Sequence, residues 1–522
     1  MRSKRLWATS GYQREPWIRG QKDIANNQQQ KPLNALQGLR FGIRCCPPSP
    51  AYHTREPAKW PQQRFLEKVP GALTLSITHQ PIANHRPVVP RTFFSGDRHV
   101  IFEEDSTCCL VRLGSCKLRL LLFWLIILGG CTDRQLTAPT PQMDAQEQFW
   151  IRVLLFENIT ACTLTSPSSF SVFSEKTQTA KTNFEKPHTP ISIDISAGTI
   201  VIDGHPVAGQ QVIVAPDKPH IFTINGRDYR GKLKLIINID GSSFDAINLV
   251  PLEPYLAGVV GAEMPDYWEP EALQAQAIAS RTYCLYIKRH FGGNRNWDLK
   301  KTQAHQVYLG LKAESGQIWD AVNKTQGRVL VCTHPDGTED IFPTYYSSAC
   351  GGHTESSKHV FGDSFTPLVG VDCPYCKDVA KRGFFFWPIA QFDKTTVTTS
   401  LLQRYPKLKM LGEVTNIVPA RQSDYGRFSR LTSVKLVGSS GTSDFLAAED
   451  LRLTIDPTGL KLKSTICRII SMGDKWLFLS GRGYGHGVGM CQCGAQAMAR
   501  QGKRAAQILS YYYPGSKFAK IY

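Results

Sequence analysis

Two pairs of metal-binding residue types stand out in the C-terminal half: Cys350-Gly-Gly-His353 and Cys373-Pro-Tyr-Cys376. Cys and His spaced two apart on loops suit the tetrahedral preference of Zn²⁺, and four protein ligands leave no open position, so a metal held here is structural. His305 is a rival fourth ligand. Disulfides fit the same cysteines if the chain is exported, and so do plain buried thiols. Cys491 and Cys493 have no evident partner in the sequence. A second feature is the block 481–490, where glycine alternates with Arg482, Tyr484, His486 and Val488. No strand-to-helix nucleotide unit surrounds it, which argues against phosphate cradling. Alternating glycines instead allow a backbone to come close to a sugar chain or another strand. In that setting His486 either positions a substrate or is a satisfied core histidine. A third feature is Glu263, in Ala262-Glu263-Met264-Pro265. By residue type alone it reads as a carboxylate leading a helix and capping its N–H groups.

These residues need elements to hold them. Residues 270–290 read as a helix: Pro270 suits the first position, Glu271 favours the positive end, and Leu273, Ala277, Ser280, Cys284 and Ile287 line one small-residue face. Gly292-Gly293 ends it. Gln492 precedes a second small-residue helix, from about 494 to 511. Strands are expected at 151–156, 191–195, 199–202, 211–214, 221–224 and 233–239, separated by Asp203-Gly204, Pro216-Asp217 and Asn225-Gly226. The fold class is α+β, a strand-rich module at 149–248 interleaved with an α/β part at 249–522.

The chain has 522 residues, 42% of them apolar, and a formal charge of +18. Residues 1–131 hold 19 Lys and Arg against 8 Asp and Glu, so +11 of that charge lies there and +7 is spread over the rest. Such dilution argues against a nucleic-acid stripe, and no nucleic-acid partner is expected. Fifteen cysteines is a high count, but the chain is too large to be a small disulfide scaffold. Residues 1–110 are rich in Pro, Gln and Arg without apolar period and read as a disordered or spurious upstream extension, with translation starting at Val111. The segment 111–131 then reads as an export signal: a basic start, the apolar core Leu120–Leu128, Gly129-Gly130 and Cys131. Nine apolar residues are too few to span a bilayer. Residues 132–148 read as a tether.

The longest continuous signal lies at 249–291. It contains Leu252-Glu-Pro-Tyr-Leu-Ala-Gly-Val-Val260, then Glu263-Met-Pro, then Glu271-Ala-Leu-Gln-Ala-Gln-Ala-Ile-Ala-Ser-Arg-Thr-Tyr283. Gln306-Val-Tyr-Leu-Gly310, Tyr346-Ser-Ser-Ala-Cys-Gly-Gly-His-Thr-Glu355 and Gly481-Arg-Gly-Tyr-Gly-His-Gly-Val-Gly-Met-Cys-Gln492 follow in order. This series resembles the SpoIID/LytB family over roughly 150–522, with Gln274 standing where the family often has Lys.

The resemblance implies a SpoIID-like fold and lytic cleavage of peptidoglycan glycan strands, preferably denuded ones, with Glu263 as the catalytic residue. The pKa of Glu263 should then be raised by apolar neighbours such as Val259, Val260 and Met264. Arg281, Tyr484, His486 and Gln492 are candidates for binding substrate. Arg281 is read either as holding substrate or orienting Glu263, or as a surface helix arginine. The resemblance also implies a rival role, an amidase enhancer that binds the wall and stimulates a partner N-acetylmuramoyl-L-alanine amidase. Some family members hold zinc through Cys and His. The signal resembles that of bacterial lipoproteins, which implies lipidation of Cys131, a membrane anchor and a place in the cell envelope; the alternative is an ordinary signal in which Cys131 is incidental.

Overall fold

A computed structural model describes residues 149–175 and 182–522. The upstream extension, the signal with Cys131, and the tether up to residue 148 lie outside the described residues. Two antiparallel-dominated sheets fill the first hundred of these. One runs, edge to edge, Leu299–Lys300, Trp150–Ile159, Phe244–Pro251, Lys232–Ile237, Gln211–Pro216, Phe170–Ser174 and Thr182–Phe184. The other runs Arg227–Arg230, Ile221–Ile224, Ala161–Thr165, Ile191–Ser196, Thr199–Ile202 and His205–Val207. Asp203-Gly204 and Asn225-Gly226 carry positive φ at both residues, the type I′ signature that lets flanking strands keep their twist. The expected strands are present. Those missed, such as Ala161–Thr165 and Arg227–Arg230, are only five and four residues long, and Arg227–Arg230 buries a single side chain, Tyr229.

The final strand of the module, Phe244–Pro251, passes directly into helix α1, Leu252–Glu263. The boundary expected at 248 therefore falls inside a strand. Inward side chains of both sheets, such as Val153, Phe222 and Leu235, join those of α1 and of helix α2, Pro270–Phe291, in one core. Leu273, Ala277, Ser280, Cys284 and Ile287 of α2 are all buried, as the small-residue face requires. Burial of such a stripe is what stabilises a helix whose own propensity is not enough.

Two glycines on α1 set how closely its neighbours approach. A Cβ at Gly258 would lie 2.4 Å from the Tyr308 ring, and one at Gly261 would lie 1.9 Å from the Ala313 carbonyl oxygen. The chain from 301 to 313 therefore lies directly on the helix, with Leu309 N–H donating to the Gly258 carbonyl at 3.2 Å.

The C-terminal small-residue helix is two helices, α3 at Gln492–Arg500 and α4 at Ala505–Tyr512. Gly502, with φ 79°, breaks the expected single run. A second core occupies the middle of the region expected to be one unit. Trp387, Leu401, Leu436, Trp476 and Phe478 pack there, apart from the main core. The residues 387–478 that carry it enter and leave through one antiparallel pair, Phe386↔Arg482 and Trp387↔Gly481. The architecture is α+β throughout the described residues. No helix among them is long and apolar enough to cross a membrane.

Candidate active site

Glu263 does not lead a helix. It is the last residue of α1, because Pro265 forces Met264 into the extended region (φ −129°, ψ 143°) and stops the helix there. A carboxylate at a helix C-terminus faces the negative end of the dipole, which disfavours its charge. The capping role expected from residue type is therefore reversed.

The chain lying on α1 brings a donor to it. Val307 N–H donates to Glu263 Oε1 at 2.9 Å, and the Gln492 side-chain amide donates to Oε2 at 3.4 Å. Burial dominates both: it pushes the Glu263 carboxyl up to about 7, against the lowering effect of the two donors. Val259, Val260 and Met264 are each buried in the core beside it. At neutral pH the group is thus poised between acid and carboxylate.

A buried polar network extends behind Glu263. Gln492 Nε2 reaches Gln276 Oε1 at 3.4 Å, and Gln276 Nε2 donates to Ser280 Oγ at 3.0 Å. Gln306 donates to Tyr346 Oη at 3.0 Å and accepts from Tyr255 Oη at 3.0 Å. Burial, then the charge of Glu263, raises the Tyr346 phenol well above its ordinary range. Such satisfied networks fix side-chain positions in a low-dielectric interior. Gln276, Ser280, Gln306, Val307 and Tyr346 were not singled out from sequence as functional. The signal for two of them was available, since Gln276 and Ser280 are polar residues on a helix face otherwise made of small apolar ones.

Of the expected substrate-binding residues, only Gln492 meets Glu263. Arg281 is fully buried and forked onto Glu253, with Nε to Oε1 at 2.8 Å and Nη2 to Oε2 at 2.6 Å. Its remaining donor reaches the Arg328 carbonyl at 3.2 Å. It is a structural ion pair, neither a surface arginine nor a substrate holder. His486 is a satisfied histidine. Its Nδ1 accepts from Val488 N–H at 3.0 Å, and its ring packs edge-on to Tyr345 and Phe361. Burial lowers it to about 4, so it is neutral. Tyr484 packs edge-on to Phe384 under Lys463, while its backbone pairs with Ala349.

The cysteines converge, but not as paired in the sequence. Cys350, Cys373, Cys376 and Cys491 are all buried, with their sulfurs within 4.8 Å of one another. His353 is outside this group; its ring stacks on Tyr425 at 4.0 Å. His305 is elsewhere, with Nδ1 accepting from Lys300 N–H at 3.2 Å. The fourth place falls to Cys491 because Tyr346–Ser347 pairs in parallel with Met490–Cys491. That pairing joins segments over a hundred residues apart, which no local spacing reveals. Surrounding thiols hold Cys376 well below the usual thiol range, while burial raises Cys350 and Cys491.

Comparison with known proteins adds to this geometry. Residues 240–332, which include α1, Glu263, α2 and Val307, match the family model described as stage II sporulation protein. An uncharacterized protein of Brachyspira hyodysenteriae is 33% identical over 297 residues, covering 56% of this chain and 73% of that protein. Stage II sporulation protein D of Bacillus subtilis is 29% identical over 300 residues, covering 53% of this chain and 76% of its own. The amidase enhancer of Bacillus subtilis is 27% identical over 360 residues, covering 62% of this chain and 49% of its own. A matched family model that includes Glu263, and relatives matched over most of their length, together place this chain in the stage II sporulation protein D family.

Proposed function

We propose that this protein acts on peptidoglycan in the cell envelope, as a lytic transglycosylase that cleaves MurNAc–GlcNAc strands, denuded ones preferentially. The observation that carries the reading is the half-buried Glu263 carboxyl, raised to about 7 by desolvation and held by Val307 and Gln492. Glycosidic cleavage needs a proton on the leaving oxygen, and a carboxyl protonated near neutral pH supplies it. Hydrolases pair such an acid with a second carboxylate. The groups that set the proton affinity of Glu263 are burial, an amide N–H and a side-chain amide, with no second acid among them. One carboxyl suffices for the intramolecular route. Glu263 gives its proton to the glycosidic oxygen as the C1–O bond breaks. The resulting carboxylate then takes the proton of the muramoyl 6-hydroxyl as that oxygen bonds to C1. The products are a 1,6-anhydro end and a free hydroxyl on the other fragment, and Glu263 is protonated again.

The similarity to the amidase enhancer favours a second reading, in which the chain binds the wall and stimulates a partner amidase. Lipidation at Cys131 would hold the protein at the membrane in either case. Purified protein and its Glu263→Gln variant, incubated with sacculi and with peptide-stripped glycan, separate the two. Anhydro-muramyl ends made by the wild type and not by the variant support cleavage by Glu263. Reducing ends would mean hydrolysis, and binding without cutting would leave the enhancer reading in its place.

A further inference from the structure

We infer that Cys350, Cys373, Cys376 and Cys491 form a tetrathiolate site for a zinc-type divalent cation, and that this site clamps the corner from which Gln492 reaches Glu263. The donor set fits. A tetrahedral ion with bonds of about 2.3 Å to sulfur has sulfur–sulfur edges of about 3.8 Å. Cys350 Sγ and Cys376 Sγ lie 3.7 Å apart, and all four sulfurs fall within 4.8 Å. That separation is far from the roughly 2.05 Å of a disulfide.

The surroundings are those of ligating sulfur, whose outer partners orient it and balance its charge. Cys350 N–H donates to Cys491 Sγ at 3.2 Å, and Tyr512 Oη is 3.2 Å from Cys373 Sγ. Arg482, hydrogen-bonded to the Gly351 carbonyl, supplies a positive charge beside a group that would be negative overall. Gly494 leaves room for this approach. A Cβ there would lie 1.9 Å from Tyr512 Oη and 2.8 Å from Cys373 Sγ. The four ligands all sit on closed, buried positions, so the ion has a structural task. Cys491 is the residue immediately before Gln492, and the other three ligands lie at 350–376. Two stretches distant in the chain are therefore tied at the point where the α3 amide is aimed. Only the consequence for Gln492 rests on the proposed function; the site itself does not.

Metal content per chain is measured on protein purified under reducing conditions without added metal. One zinc is expected in the wild type and in His353→Ala, and loss of zinc in Cys491→Ser. If Cys491→Ser fails to fold, cobalt exchanged into the wild type reads the ligand set instead, through the intense sulfur-to-metal absorption of a four-thiolate site. Hydrogen exchange with and without a chelator then reads the clamp. Faster exchange confined to 346–350, 373–376 and 490–494 is expected. Metal-free wild type with these cysteines as free thiols, zinc retained by Cys491→Ser, or zinc lost from His353→Ala overturns the site. Unchanged exchange at 490–494 on stripping overturns the clamp. None of these readouts uses substrate, so failure of glycan cleavage would leave them unaffected.

Discussion

Replacing Glu263 by Gln should stabilise the protein, and only at high pH. The native carboxyl keeps its proton up to about 7, whereas the unfolded one releases it near 4.5. Between these values the folded state binds the extra proton, so wild-type stability is fully present below 4.5 and falls as pH rises through 7. A shift of about 2.5 units corresponds to at most about 3.5 kcal/mol, since each unit is about 1.4 kcal/mol. Residual exposure of Glu263 lowers that ceiling, and about 1–3 kcal/mol is expected. Glutamine keeps the acceptor for Val307 N–H and has no charge to bury. Urea unfolding of both proteins at pH 4.5 and at pH 8 gives the measurement. The variant should match the wild type at the lower pH and gain about 1–3 kcal/mol at the higher one, the stability an active site gives up for its chemistry. A difference that is the same at both pH values would show that Glu263 does not titrate near neutrality, and the acid role would lose its basis.

Other outcomes follow from the same geometry. Cleavage of peptide-stripped glycan should decline above about pH 7 as Glu263 loses its proton. In Gln492→Ala the rate should fall and this alkaline limb should move upward, because a donor that lowers the Glu263 pKa is gone; a pH–rate profile reads both. Arg281→Ala should cost up to about 3–5 kcal/mol in urea unfolding, since it leaves the largely buried Glu253 without its charged partner and with only the Tyr522 hydroxyl donating to it. A variant that stayed stable but bound glycan weakly would instead restore the substrate-holding role. Gly261→Ala should cost at least about 1–3 kcal/mol in thermal or urea unfolding, because its Cβ would meet the Ala313 carbonyl.

Much of this architecture is local and could be read from the chain. Asn225-Gly226 and Asp203-Gly204 dictate hairpins, and the small face of α2 dictates burial, whatever the rest of the chain does. Glu263 was found through its motif, but its setting was not. Whether a carboxylate starts one helix or ends another depended on a helix, α1, whose Pro254, Gly258 and Gly261 weaken the helical signal. Those glycines are there for tertiary contact with Tyr308 and Ala313, and tertiary contact leaves no local periodicity. The fate of Arg281 turned on Glu253, one helix away. The replacement of His353 by Cys491 turned on a two-residue parallel pairing. In each case the deciding neighbour is distant along the chain.

The paired stem at 386–387 and 481–482 has a consequence for how such chains diversify. Residues 387–478 form their own core, and the stem holds their ends side by side. The entropic cost of closing a loop grows only slowly with its length. A longer or shorter module could therefore occupy the same doorway at nearly the same cost, provided it kept the contacts of Arg430 with the Cys350 carbonyl and of Tyr425 with Glu355, while Glu263 and α2 remained where they are. The frame behaves as a fixed chassis with one exchangeable slot, and variation in size among its relatives should gather in that slot.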